Sequence, residues 1–296
     1  MTTIPSAEHS HTPLRKQSSQ RQIWRFLVRN PTLVAGLMLL VLFMSIALLA
    51  PVLGTVNPTE FNVMSRLKGP SAEHWFGTDM LGRDVYSRTI YGSRISLIVG
   101  LSVSVIATAI GLVIGLLAGY IPVVDSWVMR IMDGLMAIPG ILLAIALMAL
   151  LTPSVQNVVI ALVIPQVPRV ARLVRGVVLS LREEPFVEAA VALGAGLPRV
   201  LFRHIMPNTF APLTVQATYI SAAAVLIEAS LSFLGAGTPT EIPSWGNMMA
   251  EGKVYLQLAI WIILYPGLFL ALTVLAINMV GDGLRDFLDP RMSSRM

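Results

Sequence analysis

The sequence predicts an all-α membrane protein: six transmembrane helices, with one short cytoplasmic helix between spans four and five. Three observations carry this. The 296 residues are 55% hydrophobic and only 12% charged, with a mean hydropathy of +0.74, against roughly 25% charged in an average soluble domain. Several apolar runs approach the ~20 residues a helix needs to cross a bilayer. Between the later runs lies a polar, Arg-flanked island, Glu184 to Asn208, with helix start and stop signals of its own.

Residues 1–30 form a polar tail. Within it, Trp24, Phe26 and Leu27 alternate with Arg21, Arg25 and Arg29, which fits an amphipathic helix on the membrane surface or a plain basic flank. With a long polar lead before the first apolar run, no cleavable signal peptide is expected. Residues 31–94 hold the first span, Leu33 to Leu53, and a polar extracytoplasmic segment, Gly54 to Arg94. Residues 95–281 form the transmembrane core. Its spans read Ile95 to Tyr120, Ile131 to Leu151, Val155 to about Val170, Phe210 to Leu234 and Leu258 to Val280. The second span carries Gly111, Gly115 and Gly119, a small-residue ridge that permits close helix approach. The fourth is expected to break at Pro165 and Pro168. A polar stretch, 235–257, precedes the last span, and residues 282–296 form a cytoplasmic tail.

In the island, Pro185 suits a first helical position, where a missing N–H costs nothing. Gly194 and Gly196 suit the end, where positive φ is often needed. Phe186, Val187, Ala190, Val191 and Leu193 are apolar between them, and Glu188 is charged. A helix of about ten residues is marginal alone in water, so it needs a partner surface.

Six spans put both termini on one side. Placing the N-terminal tail inside puts most of the 21 Lys and Arg residues, including Arg169, Arg172, Arg175, Arg182, Arg199 and Arg203 around the island, in the cytoplasm. The net charge of +5 therefore marks cytoplasmic loops rather than a nucleic-acid surface. Segment 54–94 runs against the bias with five basic residues, but Glu60, Glu73, Asp79 and Asp84 balance them. Part of it is expected to lie along the interface. Asp79 and Asp84, in FGTD and GRD, read first as turn residues.

Chemistry is sparse. Without Cys there is no disulfide, thiolate ligand or Cys nucleophile. The four His residues lack zinc-ligand spacing within a helix, and no phosphate-loop, H-E-x-x-H or G-x-S-x-G pattern occurs. No catalytic residue, metal ligand or cofactor is expected, and the fifteen Met residues read as flexible filler. Asp133 and Glu228 are the intramembrane acids. Each fits either the lining of a translocation path or a hydrogen bond to a neighbouring helix. Two acids are too few for a proton relay. Prolines 139, 165, 168 and 266 permit kinks, in a bundle that moves or a static one.

Glu188, Ala189 and Ala190, then three residues, Gly194, twelve residues and Pro207, resemble the EAA loop of the permease subunits of binding-protein-dependent ABC importers. The family's Ile and Leu before the Pro are replaced here by His204 and Met206. HWFGTDMLGRDVYSRTIYGSRISL (74–97), IEASLSFLGAG (227–237), PSWGNMM (243–249) and NMVGDGLRDFLDP (278–290) are similar to the C-type permease of the dipeptide, oligopeptide and nickel subgroup. The resemblance runs from about residue 22 to 290.

The resemblance implies a type I ABC importer permease fold in the inner (plasma) membrane, with the island as a coupling helix seated on an ATPase. It implies a heterodimeric B-type permease partner, two cytoplasmic ATP-binding subunits, an extracytoplasmic solute-binding protein facing 54–94 and 235–257, and surrounding lipid. The implied cargo is peptide, with nickel or glutathione as alternatives inside the family. A stand-alone secondary carrier or channel is the reading from a different class.

Overall fold

The structure is a computed structural model that describes residues 30–288; the expected surface helix before Asn30 and most of the C-terminal tail lie outside the described residues. Helix α1, Pro31–Leu49, opens with proline in its first turn and carries no charge. It ends in a 3-10 turn, Ala50–Val52. Asp84 caps the long α2, Val85–Tyr120, by accepting from the Ser87 amide at 2.8 Å. The chain continues through α3 (Pro122–Met136), α4 (Gly140–Leu150), α5 (Val155–Leu181) and α6 (Pro185–Ala192). A continuous helix α7, Leu197–Phe233, then precedes the short α8, Trp245–Gly252, and the final α9, Trp261–Leu288. Extended pairing among the described residues is limited to one isolated bridge, Thr78 with Asp84.

Helices α1, α2, α5, α7 and α9 are each long and apolar enough to cross a membrane, and α3 with α4 forms a sixth crossing bent by 89°. The bent pair must traverse the bundle. Helices α2 and α5 run parallel, with Gly111, Gly115 and Gly119 meeting Val170, Val174 and Val178 in register, so α2 ends and α5 begins at opposite ends.

The structure corrects four boundaries. The third crossing is not one helix from Ile131: it starts at Pro122 and breaks at 137–139. Pro139 supplies the break by disfavouring helical geometry at Ile138, and the polar Asp125, Arg130 and Asp133 of α3 had hidden its helix in the hydropathy. The fourth span is not broken by Pro165 and Pro168, which both lie inside a 27-residue helix. Membrane helices tolerate such prolines where neighbouring groups can satisfy the freed carbonyls, and Gly140 at the start of α4 packs against Pro165, whose Cβ would lie 3.4 Å from a Cβ at that glycine. The second span begins at Val85 rather than Ile95, because Asp84 caps it within the polar segment. The fifth begins at Leu197 rather than Phe210 and passes through a π-helical turn, Val200–Ile205.

The glycine ridge of α2 explains the tightest packing. A Cβ on Gly115 or Gly119 would lie 2.6 Å from Cβ of Val174 or Val178, so only glycine permits this approach. Val99, Val103, Ala107, Val170, Val174 and Val178 are fully buried along the α2 and α5 seams. Helix α7 runs antiparallel to α2, and Ser104 Oγ donates to the Ala217 carbonyl at 2.6 Å. Helix α1 runs antiparallel to α9, with Gly36 against Met279 and Gly283 against Leu33. Large apolar side chains such as Met38, Leu101 and Leu264 remain exposed on the outside, as a lipid-facing surface requires.

Candidate functional site

The island folds as its residues dictate. Glu184 is extended, Pro185 occupies the first turn, and the helix is eight residues long. Gly194 ends it at φ +81°. The Ala195 amide donates to the Ala190 carbonyl at 3.0 Å and the Gly194 amide to Val191 at 2.9 Å, the paired closure of a glycine C-terminus. Val187 is 2% exposed and joins the main core with Val200 and Leu201. Phe186, Glu188, Ala189, Val191 and Leu193 face outward, Leu193 at 89% exposure. An open cleft of about 500 Å³ beside α6 is lined by Tyr120, Arg182, Val187, Glu188, Val191 and Ala192. Glu188, Ala189 and Gly194 are thus exposed on one short element, while Ala190 is half-buried. Pro207 is exposed on α7, just past the π turn.

The two intramembrane acids differ. Asp133 pairs with Arg172 at 2.6 Å, and both side chains are at least half exposed. The neighbouring Asp125 and Arg175 pair at 2.7 Å, so α3 is tied to α5 twice. Glu228 is fully buried. Ser232 Oγ donates to it at 2.9 Å and Ser96 Oγ, from α2, lies at 3.5 Å. Ser232 Oγ also accepts from the Thr238 amide, and Asn247 donates to the Thr238 carbonyl. Glu228 therefore meets a neighbouring helix and the loop before α8.

At the end of the bundle opposite α6, the two polar segments form one lip. Asp79 Oδ2 accepts from Arg83 Nε at 2.6 Å and from Arg88 Nη1 at 2.7 Å, and its Oδ1 accepts from the Leu81 and Arg83 amides. Glu251, on α8, closes the network onto both arginines. Trp261 Nε1 donates to the Thr78 carbonyl at 3.1 Å and Trp245 Nε1 to that of Thr89 at 3.0 Å. Asp79 and Asp84 do make turns and caps, but Asp79 also centres a buried ion cluster. Sequence reasoning missed Glu251, Arg83 and Arg88. The only signal was the balanced charge of 54–94, and nothing in it points to a partner 163 or more residues away.

Residues 111–294 match the family described as binding-protein-dependent transport system inner membrane component. Residues 18–70 match the N-terminal TM domain of oligopeptide transport permease C. The chain is 45% identical over 295 residues to the dipeptide transport system permease protein DppC of Alkalihalophilus pseudofirmus, covering 99% of this chain and 97% of that protein. It is 41% identical over 279 residues to the glutathione transport system permease protein GsiD of Pectobacterium atrosepticum, covering 93% and 92%. Among solved structures, a chain of the inward-facing MetNI methionine ABC transporter superposes with a TM-score of 0.50 at 19% identity, covering 69% of this chain and 94% of that one.

Proposed function

This chain belongs to the binding-protein-dependent transport system inner membrane components, and on that premise we propose that it forms half of a peptide-import path driven by ATPase subunits that grip α6. It is a permease subunit of an ABC importer, with the fold of that class. The B-type permease, the two ATPases and the solute-binding protein are its proposed partners, with both termini and α6 in the cytoplasm and the lip facing the binding protein. The carrying observation is α6: a short helix with one residue, Val187, fully sunk in the core and its apolar outer face uncovered.

Glu188 and Ala189 supply the contact face, Ala190 the close approach, Gly194 fixes how the helix ends, and Pro207 fixes how α7 leaves its π turn. A docked α6 moves with the ATPases, and its position between α5 and α7 carries that displacement into the bundle. Only contacts that differ between the two states can drive the shift. The exposed Asp133–Arg172 pair is assigned to the polar face of the path, since such charges are costly against lipid. Buried Glu228 is assigned to holding the lip loop.

Gly194→Val tests this. Valine is strained at φ +81°, yet a Cβ there meets nothing within 4 Å, so the chain should insert normally. In the reconstituted complex ATP hydrolysis should persist while peptide uptake falls at least about tenfold, a loss of ~1.4 kcal/mol of coupling. Normal uptake by a stably inserted variant overturns the role. The similarity to a glutathione permease supports glutathione as a second cargo. Ligand identification on the cognate solute-binding protein separates the two.

A further inference from the structure

Helices α1 and α2 are tied together near the lip by Arg94, which bonds the Ala47 and Leu48 carbonyls, and beside that tie they leave an open groove of about 450 Å³. Met44, Leu48, Leu97, Ile98 and Leu101 line it, with Arg94 and Ala47. Met44, Leu48, Ile98 and Leu101 are each about half exposed or more. Arg94 immediately precedes the apolar run that begins at Ile95, so it stands where the polar segment meets the hydrocarbon. Tyr91 lies beside it, with the guanidinium 5.2 Å from the ring centroid, and tyrosine is enriched at this level of a membrane.

Arg94 has a structural task. Pro51 has no N–H to reach the Ala47 carbonyl, and Arg94 Nε donates to that oxygen at 2.5 Å and Nη2 to the Leu48 carbonyl at 3.1 Å. Those bonds use neutral acceptors and two of its five N–H donors. The charge meets no carboxylate among the described residues, unlike Arg83, Arg88, Arg172 and Arg175. An unneutralised cation at the membrane boundary, above an apolar groove running toward the bilayer centre, is complementary to one kind of molecule.

We propose that the α1–α2 groove binds an anionic phospholipid, with its phosphate diester on Arg94 and an acyl chain along Leu97, Ile98, Leu101 and Met44. The bound lipid fills the α1–α2 seam beside the Arg94 bonds, where Met44, Leu97, Ile98 and Leu101 leave it open. A zwitterionic lipid fits the groove equally but brings a positive group against Arg94, so the site discriminates by headgroup charge. One basic contact near the surface corresponds to about a fivefold preference.

The test is retention of phosphatidylglycerol against phosphatidylcholine by the full-length chain, loaded from mixed micelles and read by native mass spectrometry. The wild-type chain should retain phosphatidylglycerol about fivefold over phosphatidylcholine. Arg94→Gln should abolish the preference. Because it also removes the bonds to α1, Ile98→Trp serves as a second variant: it fills the groove, leaves Arg94 in place, and should lower retention of both lipids. Equal retention of the two lipids by the wild-type chain overturns the proposal. So does an unchanged preference in Arg94→Gln, or unchanged retention in Ile98→Trp. Loss of all retained lipid when the chain is co-purified with its second permease also overturns it, by showing that protein covers the groove.

Discussion

Asp79 shows how much one carboxylate can organise. Its two oxygens accept four hydrogen bonds, two from backbone amides and two from buried guanidinium groups. Removing one partner of such a cluster leaves an uncompensated buried charge, and that costs more than the intact cluster contributes. Asp79→Asn should therefore destabilise the lip by about 3–5 kcal/mol, seen as faster proteolysis of segment 54–84 in purified protein. Glu251 is partly exposed, at 19% of its side chain, and water can replace part of its role, so Glu251→Gln should cost less. Equal sensitivity of the two variants would contradict a cluster centred on Asp79. Sequence marked Asp79 only as a turn residue, because its acceptor geometry depends on a fold that brings α8 over α2.

At the scale of elements, the parallel packing of α2 on α5 rests on backbone proximity. A Cβ on Gly115 would lie 2.6 Å from Val174 Cβ and 2.7 Å from the Ala171 carbonyl, and the carbonyl belongs to a helix that cannot yield locally. Gly115→Leu should lower stability by about 1–3 kcal/mol, measured by thermal unfolding in detergent. Gly176, on α5 itself, has nothing within 4 Å of an added Cβ, so Gly176→Ala should leave unfolding unchanged or slightly favoured, since alanine is the better helix former. The ridge was legible because glycine at every fourth position has one obvious use in a membrane helix. Its partner was not, because Val170, Val174 and Val178 are ordinary apolar residues and the last two lie beyond the expected end of the span. Helix α6 was legible for a different reason: its start and stop signals are local, and Pro185 and Gly194 act through their own backbone angles. The bend between α3 and α4 was not, because hydropathy averages over a window and blurs a turn of three residues.

For the whole molecule, the proposed function places the energy source and the choice of cargo in partner subunits. Reconstituted alone, it should show neither ATP hydrolysis nor uptake, and both should appear only when partner subunits are added; activity by the isolated chain would revive a stand-alone carrier. By itself the sequence determined the all-α membrane class, the number of crossings, the short helix between the fourth and fifth, and the family resemblance. Those properties are written in composition, in period and in signals acting over a few residues. Only the tertiary structure decided that the third crossing is bent by 89°, that two prolines sit inside an unbroken α5, that Glu228 is enclosed, and that Asp79, Arg83, Arg88 and Glu251 form one cluster. Each depends on groups far apart in the chain, and a proline or a charge takes its meaning from whichever neighbours the packing brings to it.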